Sequence, residues 1–189
     1  MKRHLPIALL IVFATTLLAG SVGAQEKKPS AYIGVKKCAM CHKTAASGDQ
    51  YGVWMKSKHA EAFKVLAGDA GKAKAEKLGV ADPATSDKCL SCHSTGHAAP
   101  AELRTAALPE DGVSCEACHG PGEGYWKKVT MEAIAAGTMD GSTVGLVTPN
   151  EKVCLGCHKA DNPGHTGKFV FADAVKKIAH PVPPKAPAK

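Results

Sequence analysis

The stretch Cys89-Leu90-Ser91-Cys92-His93 contains two cysteines separated by two residues and followed at once by a histidine. The same pattern recurs at residues 38–42, 115–119 and 154–158, and the four copies use all eight cysteines of the chain. This spacing is typical of c-type haem attachment. Two thiols on one turn add to the porphyrin vinyl groups, and the adjacent imidazole reaches the iron as proximal ligand. The pattern predicts four covalent haems c, held by Cys38, Cys41, His42, Cys89, Cys92, His93, Cys115, Cys118, His119, Cys154, Cys157 and His158.

Other cysteine chemistry explains the pattern less well. Disulfides do not require a histidine after every second cysteine. A zinc site would use a separate histidine or cysteine pair, and a thioredoxin-like protein needs one reactive pair rather than four.

The N-terminal residues have the pattern of a secretory signal peptide. A basic start (residues 1–4) precedes an apolar run (residues 7–19) and small residues at 21–24. The run is too short for a convincing membrane span, although an uncleaved signal anchor stays open. The predicted organisation is a signal peptide at 1–24, a cytochrome domain at 25–180 and a Pro/Lys-rich disordered tail at 181–189. The predicted location is the periplasm, with an extracellular location as the alternative.

Composition indicates that the polypeptide cannot build a large core alone. The nine aromatic residues contrast with 31 glycines and prolines, so bulky apolar side chains are scarce. Four haems would fill the interior. The predicted fold is mainly α with extensive loops, a small multihaem cytochrome c wrapped around four covalent haems.

The formal net charge of +7 is weak support for nucleic-acid binding, because haem propionates would offset it. The expected partners are redox proteins that donate and accept electrons, with no nucleic acid.

Spacing of apolar residues and caps predicts several helices. Helices are expected at 49–67, 69–78, 123–136 and 172–179, the last ending before His180-Pro181. A further helix with Thr148 as its N-cap and Pro149 at its first position should lead into Cys154. No strand pattern of any length is found.

The remaining histidines are candidates for the second axial iron ligands. His59 and His180 are favoured, since one lies on an apolar helical face and the other is held at a helix end. His97 is too near His93 to reach across the same haem, but His97 and His165 could each ligate a neighbouring haem. Methionine ligation is an alternative that would raise the potential.

Four segments resemble the tetrahaem cytochrome c-554 family. They are Tyr32–His42, Ser57–Phe63, Gly112–Gly122 and Ile178–Pro181. The resemblance extends over nearly all of the mature chain. It implies a mostly helical fold with close, partly stacked haem pairs.

The resemblance also implies a ligand set. It assigns His59 to the haem on His119 and His180 to the haem on His158, and it leaves the second haem five-coordinate. The family's ligand to the first haem follows the Gly-Pro-Gly turn, where residues 123–136 of this chain contain no histidine. His97 and His165 are the candidate substitutes.

These features favour an electron carrier rather than an enzyme. An alternative is a reductase of a small nitrogen oxide, such as nitric oxide, at an open haem. A second alternative is a subunit of an extracellular haem filament. Ligand binding to the ferrous protein separates carrier from enzyme, and imaging separates monomer from filament.

Overall fold

The computed structural model describes residues 29–104, 106–163 and 167–182. The predicted signal peptide and residues 183–189 of the predicted tail lie outside this range. The described residues form short α-helices joined by turns and 3-10 segments, with no β-strand, so the predicted mainly α class is confirmed. The helices are α1 Val35–His42, α2 Gln50–Met55, α3 Lys64–Ala67, α4 Asp69–Lys77, α5 Asp87–His93, α6 Cys115–His119, α7 Lys128–Ala136, α8 Glu151–Leu155 and α9 Phe171–Ile178.

The helix expected at 49–67 is wrong as a single element. Residues 56–63 form turns between α2 and α3. The carbonyl of His59 accepts a hydrogen bond from the Val113 N–H at 3.0 Å, and the Trp54 indole donates to the Val113 carbonyl at 2.8 Å. The Val113 N–H thus bonds to a carbonyl that a continuous helix would use for its own hydrogen bond. This tertiary contact interrupts the helix that the spacing of apolar residues predicts.

Local sequence signals predict some helix boundaries correctly and others wrongly. Helix α4 lies within one residue of its predicted range, and α7 ends where Gly137 adopts a left-handed conformation with φ 76°. The predicted start of α7 is wrong, because a 3-10 turn occupies Gly122–Gly124. The predicted cap of α8 is also wrong: Asn150, not Thr148, is the N-cap, and its side chain accepts from the Val153 N–H.

The apolar core of the polypeptide is sparse. Its buried members are mostly small or medium-sized: Ile33, Val35, Ala60, Leu66, Ala75, Val80, Leu90 and Tyr125. No large side chain among the described residues is fully enclosed, while Met40 is 69% and Val129 is 71% exposed. This agrees with the expectation that the chain needs further apolar material to complete its interior.

Gly112 is required where the turns before α3 meet the third cysteine segment. Its φ is 61°, and a Cβ atom there would lie 2.6 Å from the His59 carbonyl oxygen and 3.2 Å from that of Ala60. Gly112→Ala should therefore lower the free energy of unfolding by about 1–3 kcal/mol through backbone strain, with a further loss from the clash. Gly79→Ala is the matched control, since Gly79 has φ 66° but no atom within 4 Å of the added Cβ. Thermal unfolding that is equal in the two variants would contradict the contact with His59.

Candidate haem-binding site

The four Cys-x-x-Cys-His segments lie on α1, α5, α6 and at the end of α8. Residues three and four apart share one face of a helix, so each segment presents two thiols and an imidazole to the same side. In the fourth segment the helix ends at Leu155, but the N–H groups of Cys157 and His158 both donate to the Cys154 carbonyl, at 3.1 and 2.9 Å. One turn of the chain therefore keeps the helical spacing of the donor set.

The cysteine thiols of different segments lie near one another. The neighbouring Cys115 thiol raises the pKa of Cys38, and burial together with the neighbouring Cys92 thiol raises the pKa of Cys157. Burial raises the pKa of Cys118, and the nearby Cys154 raises it further. These contacts link the segments in the order first, third, fourth, second. Groups attached to these thiols would thus be brought close together in one series.

Acceptors on the main chain orient the imidazoles of the segments. The His93 Nδ1 lies 2.5 Å from the Ala62 carbonyl oxygen, and the His119 Nδ1 lies 3.1 Å from that of Val147. Because a carbonyl can only accept, Nδ1 carries the proton and donates, which leaves the Nε2 lone pair for a metal. His42 has a comparable partner in the Gln50 amide oxygen at 3.3 Å. This is the second-shell arrangement that a metal-ligating histidine requires.

Two imidazole pairs have the separation of a shared metal. The ring centroids of His59 and His158 are 6.0 Å apart, and those of His119 and His180 are 5.9 Å apart. Two imidazole nitrogens at about 2 Å from one metal put the ring centroids about 6 Å apart. Burial lowers the pKa of His59 and of His119, which favours the neutral form that binds metal.

A buried nitrogen of His180 without a hydrogen-bond partner also agrees with a cofactor site. The Nδ1 of His180 is buried with no hydrogen-bond partner among the described residues, and such atoms are rare unless something else completes them. No group of three metal-binding side chains occurs within the described ranges, so those ranges contain no tetrahedral zinc site. The donor set fits a planar iron cofactor that uses two thiols and one or two imidazoles at a time.

Comparisons with known proteins agree with this donor set. Residues 37–120 match the family model described as cytochrome c554 and c-prime. A curated relative, cytochrome c-554 of Nitrosomonas europaea, is 33% identical over 132 residues, which are 66% of this chain and 52% of the relative. The chain is therefore similar to the cytochrome c554 family over these residues. It spans about half the length of that curated relative.

The solved structure of reduced cytochrome c554 from Nitrosomonas europaea is similar in fold. It superimposes with a TM-score of 0.58 at 23% identity, over 79% of this chain and 84% of that chain. The predicted fold is therefore confirmed, and the four Cys-x-x-Cys-His segments together with these matches support covalent haem c as the cofactor. The fourth attachment segment, at 154–158, lies beyond the family match.

The ring distances of this structure favour a ligand pairing different from the one that the family resemblance implies. The resemblance placed His59 with His119 and His180 with His158, but His59 faces His158 and His180 faces His119. Side-chain contacts also hold the segment after α9 near the first attachment segment. The Gln50 amide donates to the Pro181 carbonyl at 3.0 Å and its oxygen contacts His42, so the end of the chain is held beside the first segment.

The other two candidate ligands differ from these pairs. The Nε2 of His97 is 2.7 Å from the Asp87 carboxylate, at the start of α5, and so is already hydrogen-bonded. His165 lies outside the described residues. The two imidazole pairs found among the described residues include neither His42 nor His93.

Sequence reasoning missed the groups that orient the proximal imidazoles. The Ala62 carbonyl is 31 residues from His93 in the chain, and the Val147 carbonyl is 28 residues from His119. Gln50 is closer to its histidine, eight residues after His42. Main-chain carbonyls have no sequence signature, and nothing in the pattern around Gln50 marks it.

Proposed function

We propose that this chain is a periplasmic tetrahaem electron carrier that passes single electrons between redox partner proteins. The observation that carries the proposal is the presence of four Cys-x-x-Cys-His segments, each with its two thiols and its imidazole on one turn of the chain. Bound haem supplies a one-electron ferric/ferrous couple. The N-terminal signal pattern supports export, and no helix within the described residues is both long and apolar enough to cross a membrane.

The proposed roles follow from the geometry. The eight cysteines form the thioethers, and His42, His93, His119 and His158 are the proximal ligands. His180 completes the site of His119, and His59 completes the site of His158, because each pair has the separation of a shared iron. Two histidine ligands keep the potential low, which suits a carrier.

One observation favours a second candidate function. His97 is bonded to Asp87, and neither described imidazole pair includes His93. A haem on His93 without a second histidine would have an open position, where a small nitrogen oxide could bind and be reduced.

A stopped-flow experiment distinguishes the two functions. Fully reduced protein should deliver four electrons per chain to an excess of a ferric single-haem cytochrome, and it should consume nitric oxide far more slowly. Carbon monoxide should bind at least one equivalent, because neither His42 nor His93 belongs to a described imidazole pair. Rapid turnover of nitric oxide with no transfer to the protein acceptor would overturn the carrier proposal. Failure to bind carbon monoxide would remove the open site and with it the second candidate.

A further inference from the structure

Glu116 is an acidic side chain buried inside an attachment segment. It is 2% exposed and lies directly after Cys115, between the two cysteines of the third segment. The other three segments have uncharged residues in these positions, Ala39-Met40, Leu90-Ser91 and Leu155-Gly156. A buried carboxylate is costly unless its oxygens are satisfied, so its partners decide its role.

Main-chain donors from two segments satisfy the carboxylate. Its Oε1 accepts from the Ile33 N–H at 2.9 Å and from the Gly122 N–H at 2.6 Å. Its Oε2 accepts from the Gly34 N–H at 2.9 Å. No lysine or arginine of the described residues forms an ion pair with it. Charge on this group is therefore stabilised by dipoles and is not cancelled by a cation.

These bonds connect two haem-attachment helices. Gly34 directly precedes α1, which carries the first segment, and Glu116 lies on α6, which carries the third. The Cys38 and Cys115 thiols of these helices are close enough to shift each other's pKa. Gly122 lies in the turn that follows α6, so the carboxylate also fixes the chain as it leaves the third segment. Glu116 thus sits where the first and third attachment sites meet.

The charge acts on groups around both sites. Burial raises the pKa of Tyr32 and of Tyr125, and the charge of Glu116 raises each further. The hydroxyl of Tyr125 donates to the His119 carbonyl at 3.1 Å, so this region includes the third proximal ligand.

We propose that Glu116 is a positioning residue that joins the first and third attachment helices and, as a fixed buried negative charge, lowers the reduction potentials of the haems on His42 and His119. A negative charge stabilises the ferric state relative to the ferrous state, and screening by water is weak in a buried site. The inference concerns haem potentials and does not depend on which partners exchange electrons.

The test compares Glu116→Gln with Glu123→Gln. Glu123 is the matched control because it also accepts a main-chain N–H, from Ala31 at 2.8 Å, but it is exposed. In holoprotein, Glu116→Gln should raise the potentials of the haems on His42 and His119 by about 59 mV each. For a one-electron couple this is about a tenfold change in the ferric/ferrous equilibrium constant. The haems on His93 and His158 should change less, and Glu123→Gln should leave all four potentials near those of the wild type. Spectropotentiometry with haem signals assigned by NMR gives these values.

A second variant separates charge from position. Glu116→Asp keeps the charge but shortens the side chain, so it should lower the thermal unfolding temperature while the potentials of the haems on His42 and His119 stay low. This variant keeps the proposal testable if Glu116→Gln yields no holoprotein. Potentials that rise equally in Glu116→Asp and Glu116→Gln would show that geometry alone is responsible and would overturn the charge role. An unfolding temperature unchanged in both variants would overturn the joining role.

Discussion

Replacing Cys38 and Cys41 together with serine should leave a chain that carries three haems and is largely unfolded. The described polypeptide encloses no large side chain fully, so the loss of one haem removes a substantial part of the interior. A typical domain is stable by only about 5–15 kcal/mol, and the first site contacts the third through Cys115. Mass spectrometry should show one haem fewer, and circular dichroism should show loss of helix.

The matched control changes the same turn without touching the thiols. Ala39→Ser with Met40→Ser alters the two intervening residues, of which Met40 is 69% exposed. This variant should keep four haems and unfold close to the wild-type temperature. If the cysteine double variant also keeps four haems, or melts with the wild type, the covalent attachment reading is wrong for the first segment.

Replacing His59 with alanine should convert one low-spin haem to high-spin and raise the potential of that haem. Replacing His180 with alanine should do the same to a different haem. The ring separations of 6.0 and 5.9 Å specify which haem changes. His59→Ala should affect the haem on His158, and His180→Ala the haem on His119. Low-temperature EPR counts the spin states, and NMR contacts between each haem and its own proximal ring identify the site.

His97→Ala serves as the control for these ligand variants. Its imidazole is bonded to Asp87, so its loss should leave the number of low-spin haems unchanged. A low-spin count that drops in His97→Ala and holds in the other two variants would reverse the ligand assignment. Changes at the opposite haems, His119 for His59→Ala and His158 for His180→Ala, would restore the pairing implied by the family resemblance.

Local chemistry accounts for the attachment segments and helix ends that could be predicted from the sequence. Each attachment segment needs two thiols and an imidazole within five consecutive residues, and one turn of helix brings them to one face, so the sites could be found without the fold. Helix α4 and the end of α9 before His180-Pro181 are similarly local, because caps and the restriction before proline act within a few residues. The mainly α class followed from these elements and the absence of strand patterns.

Contacts between distant residues account for the features that could not be predicted from the sequence. The expected helix at 49–67 is interrupted because Val113 takes the His59 carbonyl, and helical spacing carries no information about that peptide group.

The amino-acid sequence by itself determined the class of the fold, and it predicts the number of haems and their proximal ligands, because covalent attachment requires its groups to be adjacent in the chain. Only the tertiary structure decided that His59 faces His158, that His180 faces His119 and that Glu116 is buried between two attachment helices. A second ligand must approach from the opposite side of the porphyrin, and a buried charge needs donors from another segment. Both therefore depend on how remote parts of the chain pack together.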